Sequence, residues 1–347
     1  MQRPIAFLSA ALLLAACGGP TGNPSEETTG PGEVNVYSHR HYDSDKRLFA
    51  QFTDETGIRV NLLSAGDDDL MSRIEAEGPS TPGDVFITAD AGRLGLAKER
   101  GLFQPVRSDV LSANIPASRR DPDGAWFGFS MRARVFAYNK HKVDPATLAA
   151  YADITRPEFH GRVLARTGDH VYNQSLVASM IAHDGAEQAR EWAAGVVKNF
   201  ARDPKGGDTD QLLAIAEGIG DVAIVNSYYV GKLLTADEPA RQKARETIAL
   251  VFPVNGAHGT HVNVSGGGVL KHAKNRDNAV KLLEFLSSDA AQRAFAEGNM
   301  EFPVKPGIPA APILQGFGTF TADTLDLSLL GRHNAEAVKV LHAAGWR

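Results

Sequence analysis

The stretch WFGFSMRARVFAYN, residues 126–139, is dense in aromatic and apolar side chains and predicts one unusually long strand in mid-chain. A long strand at this place is suited to a crossing between two lobes. Residues 260–269 (THVNVSGGGV) predict a second strand that can make the return crossing, with its three glycines as hinge or turn residues. The sequence therefore predicts two α/β lobes, each built from separate parts of the chain.

Short strands and helices alternate on the amino-terminal side of this stretch. Residues 34–38 predict a strand, and a helix follows that Asp43 or Ser44 can cap and that Gly57 ends. Further strands are predicted over 58–62 and 84–87 and, beyond the long strand, over 221–225, with helices between and after them. This succession indicates a parallel sheet covered on both faces, with ligands bound at the carboxyl ends of its strands.

The amino terminus has the features of an export signal. Arg3 precedes an apolar run from Ile5 to Ala16, which is too short to span a bilayer. The ending Leu-Ala-Ala-Cys resembles a bacterial lipoprotein signal, cleaved before Cys17, which would then be acylated. Cys17 is the only cysteine in the chain, so it cannot form an internal disulfide. A plain cleaved signal is the alternative, and residues 18–32 are predicted to form a flexible tether.

Composition excludes several classes of function. The 347 residues carry a net charge of -5 and have no long basic tract, which disfavours nucleic acid as a partner. The sequence contains no nucleophile elbow, no phosphate-binding loop and no dinucleotide fingerprint. A protein held outside the membrane cannot rely on cytosolic ATP or NAD(P)H, so binding and handover are favoured over catalysis.

Four of the seven tyrosines stand where a strand has just ended or a helix is about to begin. Tyr42 follows the first strand with His41 beside it, Tyr172 precedes a predicted helix, and Tyr228 and Tyr229 follow the strand that ends at Val225. Asn226 or Ser227 can cap the helix that begins there. Neighbouring tyrosines point apart on a strand but can converge in the first turn of a helix.

Phenolate is a hard anionic oxygen, and Fe(III) is a harder ion than the common divalent metals. A free tyrosine is protonated at neutral pH, but a nearby trivalent ion stabilises the phenolate. Zinc prefers histidine and cysteine, while calcium and magnesium prefer carboxylates and carbonyls. A tyrosine-rich site therefore indicates a strongly Lewis-acidic ion.

Three motifs together resemble the bacterial ferric-ion-binding proteins, which are sometimes described as bacterial transferrins. They are His-Tyr at 41–42, Val-Tyr-Asn-Gln-Ser at 171–175 and Asn-Ser-Tyr-Tyr-Val at 226–230, supported by 37–43 and 132–140. The resemblance implies a two-lobed periplasmic-binding-protein fold of type II, with two crossing strands as the hinge. It implies Fe(III) ligands in the interlobe cleft: His41 and Tyr42 from one lobe, and Tyr172, Tyr228 and Tyr229 from the other. This set of five ligands can complete the site without an anion. Other members of the family use carbonate or phosphate, so the resemblance leaves open whether carbonate also binds here.

Other polar residues have more than one interpretation. Arg132 or Arg134 can hold an anion or balance the phenolates, and only one of the two is expected to face the cleft. The acidic run Asp67–Asp69 is interpreted as a solvated turn rather than as a source of a glutamate-like ligand. His258 and His261 are interpreted as structural or exposed residues.

The sequence as a whole predicts a monomeric extracytoplasmic lipoprotein, periplasmic or on the cell surface, that delivers Fe(III) to the permease and ATPase of an ABC importer. Alternatives are the same fold with another solute (an oxyanion, a polyamine or a sugar phosphate) and a secreted metal-dependent enzyme. The expected boundaries are a signal over 1–17, a tether over 18–32, lobe 1 over 33–130 and 265–310, lobe 2 over 131–264, and a helical segment over 311–347 that packs across the lobes.

Overall fold

A computed structural model describes residues 32–40 and 42–347, with only the backbone described at Ala240. The predicted signal with Cys17, the tether up to residue 31, and His41 all lie outside the described residues. Within the described ranges, no helix combines the length and the apolar character needed to cross a membrane.

Nine strands form one mixed sheet in the described part of the chain. Its central path runs β2-β1-β3-β8-β4-β6-β5, and β7 and β9 each pair with β4. The strands are β1 (Glu33–Ser38), β2 (Arg59–Ser64), β3 (Val85–Thr88), β4 (Phe127–Asn139), β5 (Val163–Leu164), β6 (Val222–Asn226), β7 (Ile248–Val251), β8 (Val262–Val269) and β9 (Phe302–Pro303). The prediction of a parallel sheet is correct for β1 with β2 and β3, and for β5 with β6. It is wrong elsewhere, because the other pairings, those of β3 with β8 and of β4 with its neighbours, are antiparallel.

The long strand β4 changes partners halfway along its length. Residues Phe127 to Ala133 pair with β8, and residues Arg134 to Asn139 pair with β6 and β7. In this way one strand joins two groups of strands, as the sequence predicts for a crossing.

The three glycines of β8 are not turn residues. A Cβ atom on Gly266 would lie 2.3 Å from the carbonyl oxygen of Phe127, and one on Gly268 would lie 2.2 Å from that of Ala125. Glycine is needed here because the neighbouring backbone approaches too closely for any side chain.

The helices cover this sheet and close the chain. They are α1 (Asp43–Thr56), α2 (Asp67–Glu77), α3 (Ala91–Glu99), α4 (Asp109–Asn114), α5 (Val171–Asp184), α6 (Ala186–Lys198), α7 (Asp208–Glu217), α8 (Ser227–Thr235), α9 (Gln242–Thr247), α10 (Arg276–Leu286), α11 (Asp289–Asn299), α12 (Pro312–Gln315), α13 (Ser328–Arg332) and α14 (Asn334–Ala344). Helix α1 ends at Gly57 in the left-handed conformation, as predicted. The predicted cap is wrong: Tyr42 occupies the N-cap position and its side chain makes no capping bond.

Two hydrophobic clusters stabilise the fold. The larger contains apolar residues of β1, β3 and α5, and the smaller lies around Val135, Leu212 and Val225. Helix α13 packs on α3 and α5, and α14 packs on α5 and α6, so the carboxyl-terminal helices contact early and middle parts of the chain. The division into lobes at the expected residue boundaries stays a prediction.

Candidate functional site

Four tyrosine side chains meet at one place, although they come from three elements. Tyr172 is in the first turn of α5, Tyr228 and Tyr229 are in the first turn of α8, and Tyr42 directly precedes α1. The phenol oxygens of Tyr172 and Tyr228 are 3.1 Å apart, and the rings of Tyr228 and Tyr229 stack with centroids 4.3 Å apart. The phenol of Tyr42 interacts with that of Tyr228 by hydrogen bonding.

The local sequence explains why Tyr228 and Tyr229 converge. Strand β6 is buried along its whole length, and the chain passes directly from Asn226 into α8. Two neighbours in a first helical turn point about 100° apart, so both rings reach the same side of the molecule. The predicted side-chain cap by Asn226 or Ser227 is wrong: the Asn226 amide oxygen accepts from Arg134, and the Ser227 hydroxyl accepts from the Ala133 amide.

Helix α5 begins earlier than the sequence predicts. Helix α5 begins at Val171, so Tyr172 is inside it rather than before it. His170 is the N-cap residue, and its ring nitrogen Nδ1 accepts from the Tyr172 backbone N–H at 3.2 Å. This cap explains why the helix begins where it does.

Burial keeps these phenols protonated when no cation is bound. It is the largest cause of a raised pKa at Tyr42, Tyr172 and Tyr228. At Tyr42 the carboxylate of Glu301 raises the pKa further, and at Tyr228 the neighbouring tyrosines do so. A cation that binds these oxygens as phenolates must therefore displace protons.

Arg132 and Arg134 both face the tyrosine cluster, which corrects the expectation that only one of them does. Their guanidinium carbons lie 6.0 and 5.9 Å from the centroid of the Tyr172 ring. The reason is the alternation of a strand, since residues two apart share a face. Arg166 approaches the same ring at 5.2 Å. Tyr172 is thus surrounded by three guanidinium groups.

Sequence reasoning missed a buried ion-pair network beside Tyr42. Arg40 pairs with Asp45 at 2.8 Å and with Glu301 at 3.1 Å, and its guanidinium lies 5.0 Å from the Tyr42 ring. Glu301 also accepts a hydrogen bond from Ser130 on β4. No sequence motif indicates Glu301, because it is 256 positions from Asp45 in the chain and is brought close only by the fold.

Lys232 was also missed, although a signal for it exists. Its ammonium nitrogen lies 4.5 Å from the Tyr42 ring and 5.4 Å from the Tyr228 ring. Burial lowers the pKa of Lys232. Lys232 is four residues after Tyr228, and residues at this spacing are neighbours on a helix face. Helical spacing could therefore have placed a cation next to the tyrosines.

The remaining polar candidates have structural partners. Asp67, expected in a solvated turn, is buried in the first turn of α2 and pairs with His39 at 3.0 Å. His261 is buried, whereas His258 is exposed and stacks on His183 with centroids 3.8 Å apart. Among residues 32–40 and 42–347, no group of three or more histidine, cysteine or acidic residues is arranged to hold a metal ion. Within this part of the chain, the tyrosine cluster is thus the candidate that the structure offers.

Asp90 connects three parts of the chain near the cluster. Its carboxylate caps α3 by accepting from the Arg93 amide, and it accepts from Ser175 on α5 and Asn263 on β8, both at 2.7 Å. The carboxylate therefore acts as a helix cap and as a link between α3, α5 and β8.

Comparisons with known proteins identify the family of the chain. Residues 47–321 match the family model of the bacterial extracellular solute-binding proteins. Iron uptake protein A1 of Synechocystis sp. is 47% identical over 336 residues, which cover 96% of this chain and 93% of that protein.

Two solved structures also match closely. The Trichodesmium protein in complex with iron and citrate ligands has a TM-score of 0.87 at 46% identity, covering 91% of this chain and all of that one. The ferric binding protein from Campylobacter jejuni has a TM-score of 0.85 at 38% identity, covering 90% of this chain and all of that one. These matches confirm the predicted α/β type II periplasmic-binding-protein fold. The chain therefore belongs to the bacterial extracellular solute-binding proteins and, among them, to the ferric-ion-binding proteins.

Proposed function

We propose that this protein captures Fe(III) through the phenol oxygens of Tyr42, Tyr172, Tyr228 and Tyr229 and delivers it to an ABC importer. The observation that carries the proposal is the 3.1 Å separation of the Tyr172 and Tyr228 oxygens, with Tyr42 and Tyr229 against them. Oxygens at this distance can bind one ion together. The names of the relatives, an iron uptake protein and ferric-binding proteins, support the same ligand.

The charges around the cluster favour a trivalent ion. Four phenolates and one Fe(III) ion carry a net charge of -1, whereas a divalent ion would leave -2. Arg132 has no carboxylate within ion-pair distance in the described part of the chain, and Lys232 has none either. Their positive charges can offset a small negative excess on the bound site. His41 is proposed as a fifth ligand on the family resemblance.

The ion would bridge two lobes, lobe 1 with His41 and Tyr42 and lobe 2 with the other three tyrosines. A ligand held from both sides favours the closed form, which the permease and its ATPase would recognise. Release would follow protonation, reduction to Fe(II), or separation of the lobes by the permease. Acylation of Cys17 would hold a monomeric protein at the membrane outside the cytoplasm, with residues 18–32 as its tether.

A ferric citrate titration followed by visible absorbance tests this function. Ferric phenolate absorbs visible light, so we expect colour that saturates at one ion per chain. Tyr228→Phe and Tyr229→Phe should each weaken the band and the affinity at least tenfold, because each removes an oxygen ligand. Tyr37→Phe is the matched control, since the Tyr37 hydroxyl donates to Glu77 and is not in the cluster. Iron that binds without colour, or that binds equally well to all three variants, would refute the tyrosine site. Either result would favour the alternative that the natural ligand of this fold is another solute.

A further inference from the structure

The loop that leads into α5 carries two residues that contact Tyr172. This entry loop, residues 165–170, connects β5 to α5. Arg166 lies 5.2 Å from the centroid of the Tyr172 ring, and His170 caps the helix by accepting from the Tyr172 backbone N–H. The place of Tyr172 therefore depends on what holds the entry loop.

Trp346, which follows α14, makes a buried hydrogen bond to the entry loop. Its indole nitrogen Nε1 donates to the Arg166 carbonyl oxygen at 2.9 Å. The side chain is fully buried, and the rings of Trp192 and Phe200 lie against it with centroids 5.9 and 5.3 Å away. An indole packed by two other rings has little freedom to turn, so its N–H fixes the position of the carbonyl oxygen.

The backbone at Gly168 also contacts this region. A Cβ atom on Gly168 would lie 2.2 Å from the Trp346 carbonyl oxygen and 3.3 Å from the Cβ of Leu341 in α14. Glycine is needed at this position because the two backbones approach too closely for any side chain. The entry loop is therefore packed directly on the residues at and after the end of α14.

Two contacts at the surface join α14 to the same loop and to α5. His342 Nε2 lies 2.6 Å from Asp169 Oδ1, and the Asn334 amide donates to Gln174 in α5 at 3.0 Å. Gln174 donates in turn to the Asp169 carbonyl oxygen at 2.7 Å. The His342–Asp169 pair is about half exposed and contributes little by itself. Trp346 therefore supplies the buried part of this contact.

Asn173 passes the contact on to the position next to Tyr172. Its amide nitrogen donates to the carbonyl oxygens of Arg166 and Thr167, both at 3.0 Å. The Arg166 carbonyl oxygen thus accepts one hydrogen bond from Trp346 and one from the residue that directly follows Tyr172. A shift of this oxygen would move the start of α5.

We propose that Trp346 is a positioning residue of the ion site. It holds the entry loop so that the phenol oxygen of Tyr172 lies 3.1 Å from that of Tyr228. The effect is transmitted through the Arg166 carbonyl oxygen and Asn173. The inference rests on the proposed function, because Tyr172 is a proposed ligand.

Trp346→Phe tests the proposal, since it keeps an aromatic ring in the cluster and removes the indole N–H. Competition with citrate should show an Fe(III) affinity about fivefold below that of the unchanged protein, the effect of one hydrogen bond on an equilibrium. Trp192→Phe is the matched control, because Trp192 belongs to the same ring cluster but donates to the Tyr151 carbonyl oxygen at 2.8 Å, outside the entry loop. The control should change the affinity less than twofold.

Hydrogen exchange of the iron-free, full-length protein gives a second measurement that does not depend on iron. Backbone amides of residues 166–174 should exchange about fivefold faster in Trp346→Phe than in Trp192→Phe, because the entry loop opens more often. Gly168→Ala serves if Trp346→Phe does not fold, since its Cβ forces the loop away from the Trp346 carbonyl oxygen. It should produce the same two changes.

Equal affinities in the two tryptophan variants would overturn the proposal. A lower affinity in Trp346→Phe without faster exchange over residues 166–174 would overturn it as well, because the loss would then not arise in the entry loop. If the unchanged protein bound no iron, the proposed function would fail, and the exchange measurement alone would show whether Trp346 holds the loop.

Discussion

Asp208 neutralises much of the positive charge around Tyr172. It is fully buried, pairs with Arg134 and Arg166, and accepts from the Asn226 backbone N–H at 2.8 Å. One carboxylate therefore fixes two guanidinium groups and the start of α8, the helix that carries Tyr228 and Tyr229. Its loss would leave both arginines without a described ion-pair partner.

We expect Asp208→Asn to lower the free energy of unfolding by about 3–5 kcal/mol, the usual cost of breaking a buried ion pair. Urea unfolding of the iron-free protein measures this loss. Asp123→Asn removes an exposed carboxylate that pairs with Lys98, and should leave the midpoint nearly unchanged. Equal midpoints for the two variants would contradict the role given to Asp208.

Among individual residues, the sequence predicts the meeting of the four tyrosines better than it predicts the residues around them. A tyrosine pair at a helix start is by itself more often a packing feature. The tyrosines could be found because three motifs that contain them occur together in an order that resembles the ferric-ion-binding proteins. Glu301 could not be found, since a lone acidic residue gives no local sign that it will meet Arg40. Burial decides its role, and burial depends on the whole fold.

Helix α5 presents Tyr172 at one end and is held by the hydroxyl of Ser175 near that end. Ser175 donates to Asp90, the residue that caps α3. The bond thus joins α3 and β8 to the helix that carries a proposed iron ligand. A hydrogen bond to a charged acceptor is stronger than one between neutral groups.

Ser175→Ala should weaken Fe(III) binding about tenfold, because the contact that holds α5 in its binding position is lost. Competition with citrate measures the change in affinity. Ser179→Ala is the matched control on the same helix, since among the described residues the Ser179 hydroxyl donates to the Leu176 carbonyl alone. An unchanged affinity for Ser175→Ala, or an equal loss for Ser179→Ala, would show that the bond to Asp90 does not position the site.

Elements were predicted well where the apolar pattern is regular. Helix α1 and strand β6 fall close to their expected ranges because buried residues recur at the right period. The glycines of β8 were misjudged because a close approach of two backbones leaves the same sign in a sequence as a turn does. Only the pairing of β8 with β3 and β4 separates these two cases.

At the scale of the whole molecule, binding of Fe(III) by the tyrosines requires the release of phenol protons. The pKa values of Tyr42, Tyr172 and Tyr228 are raised above the usual value of a phenol, so these groups are protonated at neutral pH without iron. Each phenolate formed on binding releases one proton. Falling pH therefore opposes binding.

Affinity for Fe(III) should fall steeply as the pH drops from 8 to 5, by about tenfold per pH unit for each proton displaced. Competition with a chelator of known proton affinity, repeated at each pH, gives the slope. A proton count near three or four per ion agrees with the tyrosine site. An affinity that stays flat over this range would contradict it.

The two-lobed architecture could be predicted because a single long strand in the middle of an α/β chain is suited to crossing from one lobe to the other. The antiparallel pairing in the centre of the sheet could not be predicted. An alternation of strands and helices suggests parallel strands, whereas β4 and β8 pair in opposite directions. The proposed closure of the cleft requires that β4 and β8 both connect the two lobes and act as one hinge.

Iron-edge anomalous diffraction from crystals grown with ferric citrate tests the central claim most directly. We expect one strong peak per chain, about 2 Å from the oxygens of Tyr42, Tyr172, Tyr228 and Tyr229, the distance at which small hard cations bind oxygen. A peak elsewhere in the protein, with these four phenols bound only to each other, would contradict the account.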